Sequence, residues 1–280
     1  MYMLGAVIGD IIGSPYEFHN IKTKEFKLFC DRSCFTDDTI LTCATAESLF
    51  AHIPPQDALF KWGNLYKNRT YENGTVNAFG KGFSAWLENK RPNQSKTNGC
   101  IMRLSPVIFA FKNKKDALKY ALELTKITHN HEESLNATAA YIETAFLLKH
   151  TVPPKIIKNI IKHKYKYDLS QSVDDIRKNY NKFYCSCKNS VPQAITCALD
   201  ASSYEDAIRN AVSLGGDSDT LAAMAGGLAQ ISFDIPARIQ QDALKYMDTD
   251  VLHAIYQFNA AFHITNQNIY IPQTKLSIGR

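Results

Sequence analysis

Two short acidic runs carry the chemistry that this sequence suggests first: Thr36-Asp37-Asp38-Thr39 and Gly216-Asp217-Ser218-Asp219-Thr220. Each lies where a loop enters a helical pattern. Thr or Asp there is a good N-cap, and a carboxylate suits the positive end of the helix dipole. Capping accounts for one such turn. Two adjacent carboxylates at a buried helix start repel each other in a low dielectric, and a bound cation resolves the conflict. The second run repeats the logic: Gly215-Gly216 leads in, Asp217 and Asp219 alternate and so point the same way, and Thr220 adds a hydroxyl. Together the runs favour one shared hard-cation site. Such oxygen ligands suit Mg2+, Mn2+ or Ca2+ rather than zinc. Two ions about 3.5–4 Å apart would place and activate a water for hydrolysis.

Three other clusters can face such a centre. Glu17 follows Gly13-Ser14-Pro15-Tyr16, where Pro15 stops simple helix continuation, and its place beside a helix end makes it a candidate general base. Asn98-Gly99-Cys100 reads either as an ordinary Asn-Gly turn or as a loop whose N–H groups meet phosphate or ribose oxygens. Thr128-His129-Asn130-His131-Glu132-Glu133 reads as a helix start capped by Thr128 or Asn130, with His129 available to a substrate. Its His-x-His pair lacks a third close ligand for zinc.

The elements that must position these residues are helical. Ile40, Cys43, Ala44, Ala46, Leu49 and Phe50 recur at helical intervals after Thr36. Ala117, Leu118, Tyr120, Ala121 and Leu124 do so after Asn113, and Leu135, Ala139, Ile142, Phe146 and Leu147 mark another helix. Ser202-Ser203-Tyr204-Glu205-Asp206 is a capping box, and Pro54-Pro55 and Pro153-Pro154 sit where helices begin. MYMLGAVIGDIIG reads as a buried first helix: it lacks a basic leader, and Asp10 interrupts its apolar run. Gly5, Gly9 and Gly13 lie four apart, as do Ala222 and Gly226, so both helices are expected to be central and tightly packed. Ile264 to Ile271 reads as a short extended piece, and the tyrosine-rich stretch 162–189 as a surface excursion.

The 280 residues are 45% hydrophobic and 21% charged, a normal globular balance. No apolar stretch is long enough to span a membrane. The net charge of +5 is modest and concentrated in Lys149, Lys155, Lys158, Lys162, Lys164 and Lys166, which reads as a solvated helix face rather than a nucleic-acid patch. Seven cysteines, an odd number without a signal peptide, argue against a disulfide framework and for a cytoplasmic protein. Walker, dinucleotide-binding and nucleophile-elbow motifs are missing. The expectation is one all-α domain over 1–280, with residues after about 260 as a C-terminal extension.

The motifs coincide with those of a known family. GAVIGDIIGSPYEF, FTDDT, NGCIMRLSP, THNHEES, SVPQA and AVSLGGDSDTLAAMAGGLA occur in order between about Gly5 and Gln230. The chain thereby resembles the ADP-ribosylglycohydrolases, the group that includes dinitrogenase-reductase-activating glycohydrolase. The resemblance implies a compact orthogonal helical bundle with a dinuclear Mg2+ or Mn2+ centre and ADP-ribose bound over it. Thr36, Asp37, Asp38, Asp217, Asp219 and Thr220 match metal ligands. Glu17 and Asp37 match catalytic positions, Asn98, Gly99 and His129 line the ADP-ribose site, and Asp10 supports the ligands from behind. The chain departs from the common Gly-Asn-Gly-Ser/Gly-Ala-Met-Arg pattern at Thr97-Asn98-Gly99-Cys100-Ile101-Met102-Arg103, where the bulk of Cys100 and Ile101 is expected to alter ribose-side contacts.

The implied activity is hydrolysis of the glycosidic bond between ADP-ribose and an acceptor, such as an arginine or serine side chain or a small molecule, with release of ADP-ribose. Two alternatives remain: a non-catalytic ADP-ribose-binding or structural protein, and a di-metal phosphoester hydrolase.

Overall fold

The computed structural model describes residues 2–70 and 78–262. Among them the chain is all-α, with fourteen α-helices, two single 3-10 turns and no strand. The helices are α1 (Leu4–Gly13), α2 (Asp37–Phe50), α3 (Pro55–Tyr66), α4 (Lys81–Asn89), α5 (Ser105–Ala110), α6 (Lys114–Thr128) and α7 (Glu132–Lys149). They continue as α8 (Pro154–Tyr165), α9 (Val173–Asn179), α10 (Cys187–Leu199), α11 (Tyr204–Ser213), α12 (Ser218–Ser232), α13 (Ala237–Leu244) and α14 (Thr249–Ala261). The expected extended piece Ile264–Ile271 and nearly all of the expected C-terminal extension lie outside the described residues.

The fold is organised on α1 and α12, the most extensive helix pair in the molecule. Every residue of α1 is buried. The small-residue stripe lets the two backbones touch: a Cβ on Gly9 would stand 2.1 Å from the Ala222 carbonyl oxygen, and one on Gly226 2.3 Å from that of Gly5. A helical glycine costs about 1 kcal/mol against alanine, and the close approach explains why alanine is not used. The pair is flanked by α2, α7, α10 and α11. Buried apolar side chains from Met3 to Phe258 form one connected core.

Local signals act as the sequence suggests at most ends. Asn113 caps α6 by accepting from the Asp116 N–H (3.0 Å), and Ser203 caps α11 by accepting from the Asp206 N–H (3.0 Å). Pro54-Pro55 and Pro153-Pro154 open α3 and α8. Of the six lysines read as a solvated face, Lys155, Lys162, Lys164 and Lys166 are exposed, while Lys158 is half-buried beside Asp200 and Lys149 half-buried on the Ile108 and Phe111 carbonyls.

Two expectations are corrected. The cap of α7 is His131, whose Nδ1 accepts from the Glu133 N–H at 3.0 Å, because the Thr128 hydroxyl is engaged by Arg103 and His129. The helix marked by Leu135, Ala139, Ile142, Phe146 and Leu147 is α7, on which Ile142, Phe146, Ala137 and Tyr141 are buried and Leu135, Ala139 and Leu147 partly so. A helix wedged among α6, α8, α10 and α12 buries more than one stripe. The stretch 162–189 is no surface excursion. Tyr165, Tyr167, Leu169, Ile176 and Tyr180 are buried, with the Tyr165 hydroxyl donating to Glu143 (3.1 Å) and that of Tyr180 to the Asn189 carbonyl (2.9 Å). A tyrosine carries enough apolar ring to join a core once its hydroxyl finds a partner.

No helix among the described residues is long and apolar enough to cross a membrane. None of the seven cysteines, all among the described residues, forms a disulfide.

Candidate metal centre

The two acidic runs are the N-termini of α2 and α12, and the α1–α12 packing brings them together beside the C-terminal end of α1. Thr36 is the N-cap of α2, its hydroxyl accepting from the Asp38 N–H (3.3 Å). Asp217 occupies the same position before α12. The Asp217 side chain makes no cap hydrogen bond, so capping holds for the first run only, while both runs converge on one site. Gly215 and Gly216 that lead into Asp217 have φ of +74° and +71°. Two consecutive left-handed residues are accessible to glycine and strained for most others. The ring of Tyr180 covers Gly216 as well, leaving no room for a Cβ.

Carboxylate oxygens of Asp10, Asp38 and Asp219 lie within 4.8 Å of one another, as do those of Glu17, Asp217 and Asp219. Asp219 belongs to both groups and joins them. Asp37, half-buried at the first turn of α2, stands outside both close groups but within electrostatic reach of Asp10, Asp217 and Glu17. Thr220 donates its hydroxyl to Asp38 Oδ2 (3.2 Å), bridging the two runs.

Asp10 is the best-satisfied acid of the cluster. Its carboxylate accepts from the Thr36 N–H (2.9 Å), the Thr36 hydroxyl (2.7 Å), the Thr39 N–H (3.1 Å) and the Thr39 hydroxyl. It therefore docks the start of α2 onto α1. Its oxygens also approach those of Asp38 and Asp219.

The electrostatics are those of a site built for a cation. Burial raises every one of the six acids, and for Glu17, Asp37, Asp38 and Asp219 the neighbouring carboxylates raise it further. Glu17 is pushed up to about 8, Asp37 to about 7 and Asp10 to about 6. Among the described residues no Lys or Arg pairs with any of them. Asp38 Oδ1 is buried with no partner. Uncompensated buried carboxylates with an orphaned oxygen are what a hard divalent cation satisfies, so the residues present fit such an ion.

The remaining predicted residues sit on one side of this cluster. Asn98, buried in the 3-10 turn Asn98–Cys100, donates from Nδ2 to Asp217 Oδ2 at 2.6 Å. The structure thus joins Asn98 to an acid of the cluster. Gly99 lies over the His129 ring, near enough that an added Cβ would meet its edge at 3.7 Å. His129 is buried, with both ring nitrogens engaged within the protein. Arg103 Nη2 donates to the Thr128 hydroxyl (2.7 Å), which donates in turn to His129 Nδ1 (2.7 Å). That leaves Nε2–H to donate to the Thr97 hydroxyl (2.9 Å). Burial, with the Arg103 charge second, lowers His129 to about 3, so the ring is neutral. Cys100 and Ile101 are fully buried, so the core absorbs their bulk.

The reading from sequence missed Thr97, Thr128 and Arg103 as supports of this loop, and Asn20 beside the second run. Arg103 stood inside a quoted motif. Asn20 carried no signal, being one polar residue in a polar loop.

Comparisons with known proteins agree with the geometry. A family model described as ADP-ribosylglycohydrolase matches residues 1–262. The chain is 25% identical to the human (Homo sapiens) ADP-ribosylhydrolase ARH3, over 91% of this chain and 92% of that protein. It is 25% identical to the ADP-ribosylarginine hydrolase Tri1 of Pseudomonas putida (strain GB-1), over 81% of this chain and 68% of that one. A solved structure described as an ADP-ribosylglycohydrolase-related protein complex shares the fold with TM-score 0.67 at 21% identity, over 94% of this chain and 95% of that chain.

Proposed function

The chain belongs to the ADP-ribosylglycohydrolase family, and from that premise we propose that it hydrolyses the glycosidic bond between ADP-ribose and an acceptor, releasing ADP-ribose, with two Mg2+ or Mn2+ ions as cofactor. The observation that carries the reading is the cluster of five acids, with Asp37 in electrostatic reach, that has an orphaned buried oxygen and, among the described residues, no protein cation paired with it. The continuous core supports reading the chain as one domain.

Asp37, Asp38, Asp217, Asp219 and the hydroxyls of Thr36 and Thr220 would hold the ions. When bound, these supply Lewis acidity and positive charge that hold oxygen ligands and acidify water. Glu17, ionised once bound cations offset the surrounding carboxylates, would take the proton from the attacking water, and Asp37 is the second catalytic residue. Glu17 suits this role because it is only half-buried and a carboxylate oxygen of it lies within 4.8 Å of those of Asp217 and Asp219. The surrounding negative charge stabilises an oxocarbenium-like ribose. Asn98 aligns Asp217, and Gly99 offers backbone without a side chain where the ribose and phosphates would lie. His129, neutral and buried, braces that loop. The acceptor is an ADP-ribosylated protein side chain, arginine or serine, or a small molecule.

The test is a panel of arginine-linked and serine-linked ADP-ribosyl peptides with Mg2+ or Mn2+, reading free ADP-ribose by chromatography. Wild type releases it, and Asp37→Asn and Asp219→Asn lose at least about 100-fold. Full Mg2+-dependent activity in either folded variant refutes the reading. Binding of ADP-ribose without release would make the chain a binder instead, and turnover of nitrophenyl phosphate alone a phosphoester hydrolase.

A further inference from the structure

We infer that Asn20 is a positioning residue that clamps the Glu17 turn to the second acidic run. Its Oδ1 accepts the Gly216 N–H (2.9 Å), and the two hydrogens of its Nδ2 are shared among the carbonyls of Gly216 (3.0 Å), Glu17 (2.8 Å) and Tyr16 (2.7 Å). One amide thus holds both faces of the residue immediately before Asp217 and the backbone of Glu17. The partner lies 196 residues away in sequence. The side chain is exposed, so these bonds, and not burial, are its contribution.

The need for a clamp is visible in the turn. Gly215 and Gly216 are both left-handed, and glycine has more conformations to lose than any other residue. Nothing intrinsic to two glycines keeps the Gly216 peptide turned so that Asp217 faces the cluster. Asn20 fixes both peptides that flank Gly216, the Gly215–Gly216 unit through its N–H and the Gly216–Asp217 unit through its C=O. Lys22, on the same loop, donates to the Leu214 carbonyl at the start of the turn and to the carbonyls of Arg177 and Tyr180 at the end of α9. Phe18, between Glu17 and Asn20, stacks on Phe183 with centroids 6.0 Å apart. The loop is therefore held at several points, and among the described residues Asn20 is the side chain that hydrogen-bonds both the Glu17 backbone and the residue adjoining Asp217.

The inference rests on the proposed role of Glu17 and the acidic runs, and its test does not depend on the reaction. Asn20→Ala and Asn20→Asp are compared with wild type by three readouts: Gly216 amide exchange by NMR, Mn2+ affinity by titration without substrate, and kcat against KM. Asn20→Ala is expected to keep the wild-type unfolding temperature, to speed Gly216 exchange while the Thr36 and Thr39 amides stay protected by Asp10, and to weaken Mn2+ binding about tenfold. The loss of turnover falls in kcat. Asn20→Asp retains the acceptor and so restores Gly216 protection. Wild-type exchange and Mn2+ affinity in Asn20→Ala overturn the clamp. If wild type releases no ADP-ribose, the functional reading fails, while the exchange and Mn2+ results still decide the clamp.

Discussion

Gly9→Ala tests whether the α1–α12 contact is what assembles the metal centre. The new Cβ would stand 2.1 Å from the Ala222 carbonyl oxygen and 2.5 Å from its carbon, where real Cβ contacts begin near 3.0 Å. Backbone cannot rotate away as a side chain can, so the helices must part by about 0.9 Å at this point. Overpacking of this kind costs about 1–3 kcal/mol, and a backbone clash belongs at the upper end. Alanine's better helix propensity returns about 1 kcal/mol. The net expectation is a loss of about 2 kcal/mol, or a melting temperature lower by about 4–8 °C for a chain of this size. The displacement falls between Asp10, which adjoins Gly9, and Asp219, one turn before Ala222, so Mn2+ affinity should drop about tenfold or more. Gly82→Ala is the control: its Cβ would meet only Asn93 Nδ2, at 3.5 Å. It should leave Mn2+ binding unchanged and stabilise by up to about 1 kcal/mol. The assays are thermal melts in chelator and a Mn2+ titration. A Gly9→Ala protein as stable as wild type with unchanged Mn2+ affinity would refute the argument that this contact sets the ligand geometry.

The raised acids make a pH prediction. An acid whose folded pKa lies above its unfolded value stabilises most below the unfolded pKa, near 4, and loses that contribution as pH rises through the folded one. With Asp10 at about 6, Asp37 at about 7 and Glu17 at about 8, the chelated protein should melt at progressively lower temperature between pH 5 and pH 8. Mg2+ should restore most at the alkaline end and release protons on binding, as calorimetry in two buffers of different ionisation enthalpy would detect. A flat chelated profile counts against the cluster. Asp38→Asn should melt no lower than wild type in chelator, since it removes an acid with an orphaned oxygen, yet lose the metal-induced rise, which at 100 times Kd is about 2.7 kcal/mol. Gly216→Ala forces a left-handed alanine against Tyr180 at 2.8 Å and should destabilise by about 1–3 kcal/mol, measured by urea unfolding. Asn98→Leu should weaken Mn2+ affinity as well as substrate KM, because its amide serves Asp217; a change in KM alone would make it a substrate contact only.

The acids of the site were legible in the chain because each pair is local. Asp37 with Asp38, and Asp217 with Asp219, sit at helix starts whose caps and periodicity can be read within a few residues. The small-residue stripes were equally legible, since glycines spaced four apart weaken a soluble helix unless another backbone packs closely against them. The family motifs tied Glu17, Asn98, Gly99 and His129 to the same site. Less legible were the residues whose partners are distant in sequence. Asn20 holds Gly216, Arg103 acts on His129 through Thr128, and Tyr180 covers the Gly216 turn from a stretch that read as surface.

The physical reason is range. Helix propensity, capping and hydrophobic period act over a handful of residues, so sequence alone determined an all-helical chain with acidic helix starts and two stripes ready for close packing. Which start would face which, and which polar side chain would meet which backbone peptide, depends on contacts across nearly the whole chain. Those were decided only when α1 closed on α12 and brought Asp10, Asp38 and Asp219 within 4.8 Å of one another.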